Sequence, residues 1–214
     1  MISFIDSLRS VRSLLCVGAH ADDIEIGCGA TVLTLLAEVP KLEVFWVVLT
    51  GSPERHAEAR TGAQSFGGAN VVSLDLRTFR ERYLPYDEAV KEFFDELGAR
   101  VDPDLVLSPW EGDAHQDHST VASLVLNTFR DHLILQYEIP KYDGDLGRPT
   151  VYVPIDRSVA EMKVSLLFEC FPSQVSRYWF TEETFSGLMR MRGIECKAES
   201  GLAEAFHSKK LVLA

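Results

Sequence analysis

Residues 18–30 read GAHADDIEIGCGA, and residues 111–118 read EGDAHQDH. Each stretch sets histidine beside aspartate: His20 with Asp22 and Asp23, then His115 and His118 with Asp117 between them. Imidazole nitrogen and carboxylate oxygen suit zinc, and a catalytic zinc takes three protein ligands with a fourth position left to water. Two histidines and one carboxylate make such a set, and ferrous iron accepts the same donors. His115 and His118, three apart at an expected helix start, share one face. The ordinary use of each residue type weighs against this: aspartate beside a loop is usually a turn former or N-cap, and a lone histidine is usually structural. Two clusters at one place tip the balance, because crowded carboxylates need a counter-charge such as a cation.

The elements around these stretches decide whether they meet. SLLCVGA (13–19) is a short apolar run that predicts a strand, and GCGATVLTLLAEV (27–39) has helical spacing. Strand and helix signals then alternate: strand 42–51, helix 52–68 opened by Ser52 and Pro53, strand 69–76, helix 86–101 closed by Gly98, and strand 104–109. Helix 117–131, strand 133–139, a turn-rich loop 140–149, strand 150–155 and a further helix follow, with KKLVLA (209–214) as a last edge strand. This alternation predicts an α/β fold, a Rossmann-like three-layer sandwich with a mostly parallel sheet and helices on both faces. No linker or repeat divides the chain, so residues 1–214 are expected to form a single domain. Ligands of such sheets bind outside the carboxyl ends of the strands, and both His/Asp stretches directly follow a strand.

Composition narrows the partners. A formal net charge of −11 repels phosphate backbones and anionic lipid, so nucleic acid and membrane surfaces are not expected. No apolar run is long enough for a membrane span and no leader pattern opens the chain, which predicts a cytoplasmic location. Four dispersed cysteines without a C-x-x-C pair predict reduced thiols, Cys16 among them as a small core residue. Gly27 and Gly29 lack the third glycine of a dinucleotide loop and follow an acidic pair, so they are expected to serve close helix packing.

With these residues in view, the sequence resembles the PIG-L/LmbE family of metal-dependent N-acetylglucosaminyl deacetylases. Its His-Pro-Asp-Asp signature with a following Gly-rich turn appears as AHADDIEIGCGAT, with Ala21 in place of proline, and its His-x-Asp-His signature appears as HQDH. The resemblance implies His20, Asp23 and His118 as ligands of zinc or another divalent metal, and Asp22 as general base. It implies that a protonated His115 stabilises the oxyanion and acts as acid, that Asp117 tunes His115, and that Arg55 contacts substrate. A small N-acetylated amino sugar is the implied substrate. Tyr142 and Arg148, with Trp110 and Asp143, are weaker candidates for substrate contact because they lie in loops that follow strand ends. Exposed aromatics would permit a homo-oligomer. The rivals are a metal-dependent amidase or esterase on a non-sugar substrate, and a metal-binding protein without turnover.

Overall fold

The computed structural model describes residues 10–80, 83–84 and 86–212. In chain order the elements are β1 (Ser13–Gly18), α1 (Asp23–Glu38), β2 (Glu43–Val48), α2 (Pro53–Gly67), β3 (Val71–Leu76), α3 (Glu88–Arg100) and β4 (Leu105–Pro109). They continue with α4 (Gln116–Thr128), β5 (Leu133–Tyr137), β6 (Val151–Pro154), α5 (Arg157–Cys170), α6 (Glu182–Cys196) and β7 (Ala203–His207). All seven strands join one sheet in the order β3-β2-β1-β4-β5-β7-β6. The sheet is parallel from β3 to β5, and β7 lies antiparallel between β5 and β6.

Successive side chains of a strand face opposite ways, and both faces here are buried. On β1, Leu14 and Cys16 join Trp46, Leu107 and Tyr137 in a core closed by α1, α2, α5 and α6. Leu15 and Val17 join Val47, Val106 and Ile134 in a second core closed by α3 and α4. That double burial is why the strands read as unbroken apolar runs. The chain winds away from the sheet centre through β2 and β3 on one side and through β4 and β5 on the other. The carboxyl ends of β1 and β4 therefore flank the switch point, where an α/β sheet opens a crevice. His20 lies just beyond β1, and Asp113 to His118 lie just beyond β4.

Several predicted boundaries shift for physical reasons. Helix α1 begins at Asp23 rather than Gly27, because backbone N–H groups at a helix start favour carboxylates. Gly98 does not close α3; Val101 caps it, and Gly98 instead admits α4, since an added Cβ would lie 2.7 Å from Thr128 Cγ2. Gly27 packs under the Tyr137 ring of β5 as expected, whereas Gly29 faces Phe66 of α2. The terminal strand KKLVLA is not found: residues 209–212 carry no regular element, and Leu213 and Ala214 lie outside the described residues. The last strand is β7, built from AEAFH and inserted inside the sheet.

Candidate metal centre

The turn between β1 and α1 is organised by Asp23. Its Oδ2 accepts the backbone N–H groups of Ala19 (2.9 Å) and His20 (2.8 Å), which fixes the carboxylate and leaves Oδ1 facing His118 Nε2 at 3.3 Å. His20 Nδ1 lies 3.5 Å from Asp23 Oδ2 and 3.2 Å from His118 Nε2. Ligands about 2.0–2.1 Å from a tetrahedral ion are separated from one another by about 3.3 Å, and His118 Nε2 stands at such a spacing from both His20 Nδ1 and Asp23 Oδ1. Two ring nitrogens in contact cannot each donate to the other, whereas a cation accepts electron pairs from both. The donors of His20, Asp23 and His118 therefore fit a divalent ion. A second triad, His20, His115 and Asp117, also brings its donor atoms close together. Both oxygens of Asp117 are already engaged, Oδ1 by Leu84 N (2.9 Å) and Oδ2 by His20 Nε2 (3.0 Å).

Each histidine of the first triad has its far nitrogen held by a carboxylate: His20 Nε2 by Asp117, and His118 Nδ1 by Asp113 Oδ2 at 2.9 Å. Such partners fix the ring's tautomer and direction. Burial disfavours charge on both rings, yet Asp23 with Asp117 raises His20 to about 10, and Asp23 with Asp113 raises His118 to about 9. The same two rings outweigh burial at Asp23 and hold its carboxyl well below the usual range. Negative charge here exceeds what the fixed cations balance, and protons on the histidines supply part of the difference; a bound metal would displace them.

Asp22 occupies the N-cap position of α1, but its side chain makes no cap hydrogen bond. It points to Arg55, whose Nη2 is 2.6 Å from Asp22 Oδ1. Burial raises the proton affinity of Asp22; Arg55 opposes the rise and Asp23 adds to it. Arg55 is fixed in turn by Glu58 Oε2 (2.5 Å) and Ser173 Oγ (3.2 Å), and Ser173 N donates to Glu58 Oε1 (2.8 Å).

Two further residues of the expected set lie at the start of α4. His115 is the N-cap of α4, and its Nδ1 accepts the N–H of Asp117 at 3.2 Å, which leaves Nε2 to carry the proton. Burial, then the nearby charges of His118 and His20, lower its proton affinity, while Asp117 and Asp23 oppose the shift. The Asp117 N–H donates to His115, its carboxylate holds His20 Nε2, and its negative charge favours the proton on His115.

The structure brings together His20, Asp22, Asp23, Arg55, His115, Asp117 and His118, the members of both sequence stretches and the arginine between them. Tyr142 and Arg148 are exposed and make no hydrogen bond to this group. Trp110 is committed elsewhere, stacked on His207 with ring centroids 4.1 Å apart. Asp113, Glu58 and Ser173 were missed by the sequence reading. Asp113 sits inside the quoted EGDAHQDH, and Glu58 follows Arg55 at helical i,i+3 spacing, whereas Ser173 is distant in sequence and gave no signal.

Fold and site together define a class: α/β proteins with a two-histidine, one-carboxylate cluster at the switch point of the sheet. Within that class the chain belongs to the PIG-L family, described as GlcNAc-PI de-N-acetylase, which matches residues 15–129. An uncharacterised deacetylase of Escherichia coli K12, YaiS, is 27% identical over 150 residues, 64% of this chain and 80% of that protein. The N,N'-diacetylchitobiose deacetylase of Pyrococcus horikoshii superposes with a TM-score of 0.76 at 17% identity, covering 97% of this chain and 93% of its own. GalB of Pseudomonas putida KT2440, a 4-carboxy-2-hydroxymuconate hydratase, also superposes at 0.76 with 19% identity, over 95% and 98% of the two chains. The fold is thus common to proteins named for different reactions, and function must be argued from the site. No described helix is long and apolar enough to cross a membrane.

Proposed function

We propose that the chain is a metal-dependent hydrolase that removes the acetyl group from an N-acetylglucosamine-type sugar or its conjugate. Asp22 carries this reading: a buried carboxylate next to the ligand set but outside it, aimed by Arg55 and with a raised proton affinity. A metal-binding protein without turnover has no use for such a group. The sugar comes from the family and from the chitobiose deacetylase whose fold this chain shares.

His20, Asp23 and His118 would hold the ion, with zinc or ferrous iron suited to the donors. When bound, such an ion brings the pKa of water towards neutrality and polarises a carbonyl oxygen. Asp22 takes the proton of the water that attacks the acetyl carbonyl. His115 donates its Nε2–H to the oxygen that gains negative charge, a contribution of about 3 kcal/mol for one such donor. Asp22 returns its proton to the sugar nitrogen as the C–N bond breaks, leaving acetate and a free amine. Burial matches the two groups to these tasks, raising proton affinity at Asp22 and lowering it at His115.

The test is acetate release from N-acetylglucosamine conjugates, N,N'-diacetylchitobiose and simple N-acetylamines, with metal content measured on the same preparation. Release from the sugars is expected. Release from simple amides alone would replace the sugar with a non-sugar substrate, and bound metal with no acetate from any compound would overturn the hydrolase.

A further inference from the structure

Loop 140–149 is joined to the His/Asp centre by a part-buried cation, Lys141. Lys141 Nζ lies 2.8 Å from Asp113 Oδ2 and 2.7 Å from Asp145 Oδ2, and Asp145 Oδ2 also accepts Ala114 N at 2.7 Å. Asp113 Oδ2 is the same oxygen that holds His118 Nδ1. The far end of the loop is secured without Lys141. Gly147 N donates to Glu138 Oε1 (3.1 Å), its carbonyl accepts from Arg192 Nη2 (3.3 Å), and an added Cβ would meet Trp110 and His207. Anchoring the loop therefore does not account for a lysine whose side chain is only 9% exposed between two carboxylates.

We propose that Lys141 is a positioning residue for His118, acting through Asp113; this rests on reading His118 as a metal ligand. Asp113 has its Oδ1 on the N–H of His115 (2.8 Å), while its Oδ2 is shared by Lys141 and His118. The lysine and the His115 N–H hold the carboxylate at both oxygens, so its rotation is blocked and the imidazole that donates to it keeps one direction. Without Lys141, Oδ2 keeps only the ring it is meant to aim. Solvent competes less for this contact than for a surface lysine, because the Lys141 side chain is only 9% exposed and Asp113 is buried.

Three variants test this. Lys141→Met keeps most of the stem and removes the charge, Lys141→Arg keeps the charge, and Asp145→Ala frees the loop while leaving Lys141 on Asp113. In competition with a chromophoric chelator, Lys141→Met should bind zinc about tenfold or more weakly, and Lys141→Arg should recover most of the loss. Asp145→Ala should keep near wild-type affinity while the Ala114 amide exchanges faster with solvent. In ¹H–¹⁵N spectra of the metal-free protein, the His118 Nδ1 proton should shift or vanish in Lys141→Met and return in Lys141→Arg. Wild-type zinc affinity and an unmoved His118 signal in Lys141→Met would overturn the proposal. Loss of affinity in Asp145→Ala as large as in Lys141→Met would also overturn it, since the loop would then be the cause. A wild-type protein that takes up no zinc, but whose His118 signal still responds to Lys141→Met, would sink the metal reading and leave the positioning role standing.

Discussion

Two buried charged clusters in this molecule are balanced differently. In the crevice, Asp22, Asp23, Asp113, Asp117 and Glu58 are buried around two fixed cations, Arg55 and Lys141. Beneath the antiparallel strands, each buried carboxylate has its own cation: Glu204 with Lys163 at 2.6 Å, and Glu138 with Arg192 at 2.8 Å. There the spare hydrogen-bonding capacity is also met inside the protein. Lys163 donates to Ile26 O, and Glu204 accepts Ala30 N and Thr31 N, which ties α5 and β7 to the middle of α1. A balanced pair holds elements together and asks for nothing further. An unbalanced one needs protons or a metal, and that need is what distinguishes a working site from structural charge.

Breaking the unbalanced cluster should have the largest effect, and it should separate two functions. Asp22→Asn is expected to lower turnover by about 10²–10⁴-fold while zinc content stays at the wild-type level. His118→Ala should lose both. Acetate release and metal content measured on the same samples check this; unchanged turnover in the asparagine variant would remove Asp22 as the base and with it the argument for an unbalanced site.

The balanced cluster should respond in stability alone. Glu204→Ala leaves Lys163 buried without its partner and strands the Ala30 and Thr31 N–H groups, at a cost of about 3–5 kcal/mol in urea unfolding. Turnover per folded molecule should be retained. Loss of turnover without loss of stability would show that the two clusters are not separate.

The same contrast explains what the sequence made legible. The crevice residues follow strands at short range, so HADD and HQDH could be read directly, and parallel strands buried on both faces read as apolar runs. The balanced cluster hid its elements. Helix α6 buries Phe185, Met189 and Arg192 on one face, and an arginine at a core position spoils the apolar period that marks a helix. Strand β7 puts Glu204 inside the sheet, which reads as a polar loop until Lys163, distant in sequence, is known to cover it. Asp113 and Lys141 were obscured in the same way, because their partners come from different loops. The place of His115 beside His20 and His118 was legible, but its surroundings were not: burial, then the two rings packed against it, lower its proton affinity.

The smallest effect is expected at the amino ends of β1 and β4, where a carboxylate is bonded but exposed. Asp104 Oδ2 accepts the N–H groups of Arg12 (2.7 Å) and Ser13 (3.0 Å) and the Ser13 hydroxyl (3.1 Å). Slight burial favours the proton, but these bonds outweigh it and hold the Asp104 carboxyl below its ordinary value of 3.8. The folded chain thus binds this proton less readily than the unfolded chain. The stability Asp104 contributes is fully present above pH 3.8 and is lost as pH falls through the lower folded value. Solvent screens these interactions, so Asp104→Asn should cost less than about 1 kcal/mol at neutral pH, and the gap from wild type should narrow in acid. Urea midpoints at neutral pH and near pH 3 measure both. An Asp104→Asn variant as unstable as Glu204→Ala would mean that exposure does not weaken a carboxylate's bonds in this fold; burial could then no longer be the reason that the balanced pairs stabilise and the crowded aspartates demand a cation.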